Sequence, residues 1–285
     1  MSLYEPEIIC ETSAAAGDPE ITRRRRAAYT PGVSTELRYE DKYDLDFFQS
    51  ERGGHDVRYI VLHDTEGPTQ AAISWWTNPE NPYQSSAHDL IDKRGVIWRC
   101  VPYDKAAHHV GYSHIPGFNE FNAEDDRWKP NANLSTIGIE LEYPRWPDSP
   151  PYPGAQLQSV VEHVRSLVLQ FGVTRDRIFR HADIDTNGKT DPRNFQWDWF
   201  LDQVFSEVEH MLDETARHAA WNSSGIPYNP EAAFSRYARL HDLGKPETQE
   251  FDFGFQGREY RGQGFSKAIV YCEVGYWDAI KELSW

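Results

Sequence analysis

The chain has 285 residues, enough to bury a full hydrophobic core and to carry more than one domain. Hydrophobic residues make up 39% of it and aromatic residues 14%, a composition that excludes wholesale disorder. The formal net charge of -16 disfavours nucleic acid as a general partner, because nucleic acid is itself a polyanion.

The cysteines and the N-terminus indicate the compartment. Cys10, Cys100 and Cys272 lie far apart and form no CxxC pair, which is typical of a protein folded in a reducing cytoplasm. The first residues lack the basic-then-apolar pattern of a signal peptide, and no apolar run approaches the ~20 residues that span a bilayer. We therefore expect synthesis in the cytoplasm without a signal peptide and no insertion into a membrane.

Residues 1–50 read as an irregular, charged N-terminal extension without chemistry of its own. The basic run from Arg23 to Arg26 is short, and we interpret it as a solvated charge cluster. From Asp56 the pattern changes to buried strands and amphipathic helices, so we predict a catalytic domain over residues 51–213.

Hydrophobic periodicity and turn residues predict the elements of this domain. In chain order they are a strand at 59–63, a helix at 69–76, a hairpin turning at Gly95, a strand at 136–143 and helices at 157–171 and 199–212. A linker is predicted at 214–230 and a small β-rich accessory module at 231–285. The fold class is α/β, with a central mixed β-sheet flanked by helices.

Two histidines and one aspartate form a candidate metal site. His63 closes the first strand, and His181 follows a short apolar run ten residues before Asp191. Catalytic zinc usually has three such protein ligands and leaves its fourth position to water. Each histidine taken alone is better explained by an ordinary half-buried position, so the prediction depends on the three residues meeting.

Two further residue types suit amide hydrolysis. A carboxylate is needed to take a proton from water, and Glu140 on the strand at 136–143 is the candidate, with Glu142 as its backup. Either is equally compatible with a solvent-facing position on that strand. Lys189, two residues before Asp191, is a candidate for stabilising negative charge on the carbonyl oxygen.

Five ordered motifs, VLHDTEG, SSAHDLID, DKAAHHVG, NLSTIGIELE and GKTDP, carry a family resemblance. Together they resemble the zinc-dependent N-acetylmuramoyl-L-alanine amidases of the type-2 family, which includes phage endolysins, muropeptide-recycling amidases and peptidoglycan recognition proteins. The resemblance covers roughly residues 56 to 205. It implies a Zn²⁺ cofactor and peptidoglycan, glycan strand plus stem peptide, as the partner.

The resemblance also assigns residues one by one. It implies zinc ligands at His63, His181 and Asp191, a catalytic glutamate at Glu140 and a transition-state lysine at Lys189. His109 and Asn133 match family positions of the substrate groove. Arg193 departs from the family, which commonly has glycine after KTDP, and this leaves the turn after the metal loop open.

The expected reaction is hydrolysis of the amide between N-acetylmuramic acid and the L-alanine of the stem peptide. Because no signal peptide is evident and the C-terminal module loosely resembles wall-associated repeats, we expect a phage-type endolysin that reaches the wall after release. The alternatives are a cytoplasmic amidase for anhydro-muropeptides, favoured by an aspartate rather than a cysteine as third ligand, and a non-catalytic peptidoglycan-binding or virion-associated protein.

Overall fold

The computed structural model describes residues 37–145, 147–223, 229 and 231–285. Most of the predicted N-terminal extension, with Cys10 and the run from Arg23 to Arg26, lies outside the described residues, as do 224–228 and 230 of the predicted linker. Within the described ranges, no helix is both long enough and apolar enough to cross a bilayer.

Strands and helices are mixed along the described chain. The strands are β1 Arg38–Asp41, β2 Gln49–Glu51, β3 Tyr59–Asp64, β4 Asp89–Ile91, β5 Val96–Arg99, β6 Lys105–Ala107, β7 Glu120–Asn122, β8 Arg127–Lys129, β9 Thr136–Leu141, β10 Ile178–Arg180, β11 Phe251–Phe255, β12 Arg258–Gly264, β13 Ile269–Glu273 and β14 Lys281–Leu283. The helices are α1 Thr69–Trp76, α2 Gly154–Phe171, α3 His181–Ile184, α4 Trp197–Asn222 and α5 Ala233–Leu240.

A six-stranded sheet of order β1-β5-β4-β9-β3-β10 forms the centre of the fold. The pairs β4–β9, β9–β3 and β3–β10 are parallel, whereas β4 and β5 form the antiparallel hairpin predicted around Gly95. The mixed α/β class is therefore confirmed. Parallel strands end at the same edge of a sheet, so the carboxyl ends of β3, β9 and β10 lie side by side.

Both faces of this sheet are covered. On one face, apolar residues of α2 and α4 pack against Ile60, Leu62, Ile137 and Ile139 in the main core. On the other face, Tyr59 and Val61 join a smaller cluster formed with loop residues. The predicted alternation of the strand at 136–143 is thus a difference between two buried faces rather than between core and solvent.

The helix at 154–171 ends as its sequence predicts. Gly172 follows its last residue with φ of 65°, a left-handed conformation that favours glycine, and its N–H donates to Val168 O. The helix then presents an apolar stripe to the sheet, which fixes one face of the domain and leaves the other for the site.

The C-terminal residues form the expected β-rich module, an antiparallel sheet of order β11-β12-β13-β14 with α5 beside it. Apolar residues of this sheet pack on the second half of α4. The shared cluster contains Leu212, Ala216, Ala220, Phe251, Phe253, Ile269, Tyr271 and Leu283.

Two predicted boundaries differ from the structure. α4 continues to Asn222, through the first part of the predicted linker at 214–230, because its apolar stripe is extended by contacts with the C-terminal sheet. The predicted extension at 1–50 contributes β1, which pairs in parallel with β5 at the edge of the central sheet, and most of β2. Short exposed edge strands carry little hydrophobic signal, so composition alone does not reveal them.

Candidate active site

The three predicted metal ligands meet at the carboxyl edge of the sheet. His63 lies in β3, His181 is the first residue after β10, and Asp191 lies in the loop that follows α3. One ligand atom of each residue lies within 4.8 Å of the others. Asp191 Oδ2 is 3.2 Å from His63 Nδ1 and 3.0 Å from His181 Nδ1. The structure therefore brings together residues that are 128 positions apart in the chain.

Local contacts hold the loop between the last two ligands. The N–H of Ala182 donates to Asp191 O at 3.0 Å and closes the loop. The carboxylate of Asp185 accepts from the N–H groups of Asn187 and Lys189, at 2.6 and 2.9 Å, in the manner of an aspartate that organises a turn. These bonds fix the backbone of the loop that carries Lys189, which lies two residues before the ligand Asp191.

The protonation states of His63 and Asp191 suit a metal cation. Burial and the neighbouring His181 lower the pKa of His63 to about 4, so its imidazole is neutral at neutral pH. Burial alone would raise the pKa of Asp191, but its interactions with the adjacent His181 and His63 imidazoles lower it well below its ordinary value. A neutral imidazole and an ionised carboxylate are the forms in which histidine and aspartate bind metals.

The separations of the ligand atoms also fit a zinc ion. Ligands bound tetrahedrally at ~2.0–2.1 Å lie roughly 3.3 Å from one another. The two observed His–Asp separations of 3.2 and 3.0 Å are close to this value. The donor set and its spacing therefore fit the group that the sequence implies.

A second chain of contacts runs from His63 into the protein. His63 Nε2 lies 2.9 Å from His109 Nδ1, and His109 Nε2 lies 2.8 Å from Thr136 Oγ1. Thr136 Oγ1 in turn lies 3.0 Å from Ala132 O. His109, predicted to bind substrate, thus contacts a metal ligand directly, although its side chain also lines the cavity described below.

Asn133, the other predicted substrate residue, does not line that cavity. Its Oδ1 accepts from the N–H groups of His109 and Val110 at 3.1 and 3.0 Å, and its Nδ2 donates to Val110 O. The side chain is 7% exposed. These contacts hold the backbone that carries His109, and a direct contact of Asn133 with substrate stays a prediction.

The ligands open onto a cavity of about 410 Å³. Glu140 and Lys189 line it together with the three ligands, whereas Glu142 does not. Glu142 instead accepts from Thr69 Oγ1 at 2.9 Å. This geometry favours Glu140 over its predicted backup. The loop 112–130 contains the hairpin β7–β8 and contributes no residue to the lining of this cavity.

Glu140 lies directly beside His63 in the register of β9 and β3. Its Oε2 is buried and has no hydrogen-bond partner within the described residues. Burial, followed by the charges of Asp191 and Asp64, raises the pKa of Glu140 well above its ordinary value, and the Lys189 ammonium opposes this rise. A carboxyl group with a raised pKa is suited to both accept and return a proton.

Arg193 explains the turn that the sequence left open. Its backbone N–H donates to Asp64 Oδ2 at 2.5 Å, and its guanidinium donates to Asp64 Oδ1 and to Pro144 O. Burial raises the pKa of Asp64, and the hydrogen bonds from Arg193 oppose that rise. Sequence reasoning missed this ion pair, although the position of Asp64 directly after a ligand is a signal that could have revealed it.

Comparisons with known proteins agree with this geometry. Residues 53–194 match the family model described as N-acetylmuramoyl-L-alanine amidase. This part of the chain belongs to that family. The amidase region, as we call residues 53–194, contains the three predicted ligands, Glu140 and Lys189.

Relatives of the amidase region include proteins that are amidases by name. The 1,6-anhydro-N-acetylmuramyl-L-alanine amidase AmpD of Salmonella typhimurium is 34% identical over 116 residues, 40% of this chain and 54% of that protein. The N-acetylmuramoyl-L-alanine amidase AmiD of Escherichia coli K12 is 24% identical over 179 residues, 58% of this chain and 59% of that protein. The chain thus spans little more than half the length of the curated relatives it matches.

Among solved structures, the crystal structure of a selenomethionine AmpD derivative is similar to this chain. The sequence identity is 26% and the TM-score 0.46, and the match covers 59% of this chain and 94% of the other.

Proposed function

We propose that this chain is a zinc-dependent N-acetylmuramoyl-L-alanine amidase, which hydrolyses the amide between the muramic acid lactyl group and the L-alanine of the stem peptide. The observation that carries the proposal is the convergence of His63, His181 and Asp191 beside Glu140 in one cavity. The family match of residues 53–194 supports the same reaction.

His63, His181 and Asp191 would hold the zinc ion. When bound, zinc polarises the amide carbonyl and makes water nucleophilic near neutral pH. The three side chains are fixed on strand ends and a closed loop, so the binding geometry exists before substrate arrives.

Glu140 takes the proton of the attacking water and delivers it to the departing alanine nitrogen. Its unpartnered Oε2 is available to accept that proton, and its raised pKa brings it nearer to the working pH. Lys189 stabilises the negative charge that develops on the carbonyl oxygen. Its ammonium lowers the pKa of both Glu140 and His63, which supports a position within electrostatic reach of the reacting atoms.

The substrate is a soluble 1,6-anhydro-muropeptide. The support comes from the curated relatives, of which AmpD is named for the 1,6-anhydro substrate, and this favours the recycling alternative over the expected endolysin. The solved complex of AmiD from Escherichia coli, with anhydro-N-acetylmuramic acid-L-Ala-D-γ-Glu-L-Lys, supplies a defined test compound.

The test compares two substrates at equal zinc loading. Purified protein is incubated with that anhydro-muropeptide and, separately, with intact sacculi, and mass spectrometry follows release of stem peptide with a free L-alanine amine. Glu140→Gln serves as the matched control for contaminating amidases. Faster release from the soluble compound supports the recycling function, and release mainly from sacculi restores the endolysin. No release from either, from protein shown to contain zinc, overturns the amidase proposal.

A further inference from the structure

The contacts around His109 allow the protons on the histidine chain to be located. An imidazole that is neutral carries one N–H, which donates, and one bare nitrogen, which accepts. Ala132 O is a carbonyl oxygen and only accepts, so the Thr136 hydroxyl must donate to it for the 3.0 Å contact to be a hydrogen bond. Thr136 Oγ1 then accepts from His109 Nε2–H across 2.8 Å.

This assignment propagates to the metal ligand. With its proton on Nε2, His109 has a bare Nδ1, which accepts from His63 Nε2–H at 2.9 Å. His63 Nδ1 is then bare and faces Asp191 Oδ2 at 3.2 Å. Two acceptors at this distance repel each other unless a cation lies between them, so the direction of the chain prepares the site for a metal.

The reverse direction suits a site without a metal. If His63 carried its proton on Nδ1, it would donate to Asp191 Oδ2, His109 would donate from Nδ1, and Thr136 would donate to His109 Nε2. The contact between Thr136 Oγ1 and Ala132 O would then lack a proton. Each direction thus makes three hydrogen bonds, and a cation between His63 Nδ1 and Asp191 Oδ2 selects the one in which His63 is protonated at Nε2.

The position of His109 is fixed by its surroundings. Asn133 holds its backbone N–H, as described above. Its ring lies against Gly138 on β9, where an added Cβ would lie 2.3 Å from His109 Cγ. The backbone, the ring face and the Nε2 nitrogen of His109 are thus each held by a different neighbour. Such a fixed side chain is suited to orient the metal ligand that it contacts.

We infer that His109 and Thr136 are positioning residues that hold the proton of His63 on Nε2, so that the Nδ1 lone pair points at the metal position. The inference rests on the zinc site of the proposed function and adds to it two residues that touch neither metal nor substrate in this role. Partners of metal-binding histidines typically change metal affinity by about 10–100-fold when mutated.

The first test needs no variant and no activity. Two-bond ¹H–¹⁵N correlation spectra of the zinc-loaded protein at neutral pH report which ring nitrogen of each histidine carries hydrogen. We expect His63 and His109 both protonated at Nε2. A spectrum with either His63 or His109 protonated at Nδ1 overturns the inference, whatever the amidase assay gives, so its failure is separate from that of the proposed function.

The second test compares Thr136→Val with Thr136→Ser. Valine keeps the shape of this fully buried side chain but removes the acceptor for His109, whereas serine keeps the hydroxyl. Competition with a chelating indicator should show zinc bound at least about tenfold more weakly by Thr136→Val than by Thr136→Ser. Equal zinc affinities of the two variants, both folded by circular dichroism, contradict the inference.

If Thr136→Val does not fold, His109→Asn and His109→Leu replace the pair. The asparagine Oδ1 stands close to where His109 Nδ1 accepts, while leucine offers no acceptor. Zinc affinity rescued by asparagine relative to leucine supports the inference, and equal loss in both overturns it.

Discussion

Gly138 provides the most direct test of how closely the sheet and the metal site are coupled. It lies in the middle of β9, and a Cβ built there would lie 2.3 Å from His109 Cγ and 2.5 Å from His109 Nδ1. Ordinary contacts of a Cβ begin at 3.4 Å, so the imidazole in Gly138→Ala must withdraw by about 1 Å. Its hydrogen bond to His63, now 2.9 Å, would lengthen to near 4 Å and be lost.

Gly138→Ala should therefore reduce zinc affinity about 10–100-fold, the usual effect of losing the partner of a metal-binding histidine. The added methyl group should also lower the free energy of unfolding by about 1–3 kcal/mol, as overpacking in a core does. Competition with a chelating indicator measures the first quantity, and urea unfolding of the zinc-free protein measures the second.

Gly111→Ala is the matched control. Gly111 follows the same histidine loop, but a Cβ there would meet nothing within 4 Å, and its φ is not in the left-handed region. It should keep the zinc affinity of the parent protein. If Gly138→Ala is destabilised but binds zinc as tightly as Gly111→Ala, the inference that His109 couples β9 to the metal site is refuted.

Three further changes test other parts of the site. Glu140→Gln should lower kcat by about 10²–10⁴-fold with one zinc still bound per chain, because it removes the proton acceptor and keeps the ligands; loss of zinc in metal analysis would contradict its role. Arg193→Gly should lower the free energy of unfolding by about 3 kcal/mol, since it leaves the buried Asp64 carboxylate unpaired. In an Asp64→Asn background the same change should lower it by clearly less. Additive losses of the two changes in urea titrations would refute the pairing. Burial and then the charge of Arg52 lower the pKa of the buried His88 to about 4, below the ordinary 6.5. Between pH 6.5 and about 4, the unfolded chain therefore binds this proton and the folded chain does not. The free energy of unfolding should fall by about 3 kcal/mol as the pH drops through that window, at 1.36 kcal/mol per pKa unit. An equal fall in the variant His88→Asn would show that other groups cause it.

The sequence predicted the elements that carry strong periodicity. The strand ending at His63, the helix stopped by Gly172 and the hairpin at Gly95 are all present, because buried apolar runs and glycine at a left-handed turn leave few alternatives. The convergence of the metal ligands was predicted from the strand ends of His63 and His181 together with the family motifs. Their roles as zinc ligands stay predictions until metal is measured.

The parts that were not predicted depend on contacts between distant segments. β1 is a short exposed strand, and its place at the sheet edge follows from pairing with β5 rather than from its own residues. Asn133 and Thr136 were not recognisable as supports for His109, because each acts through hydrogen bonds to a loop some 25 residues away. Gly138 did offer a signal, since glycine inside a strand often marks the close approach of another group.

The long helix α4 has a practical consequence for anyone who wishes to study the two modules separately. Phe200 and Val204 in its first half pack in the main core, and its second half packs against the C-terminal sheet. A cut after residue 213 would divide this helix, and the C-terminal piece would lose part of the helical surface on which its sheet packs. Dissection by truncation should therefore begin beyond Asn222, and any attempt to swap the tail for another binding module must carry the whole helix with it.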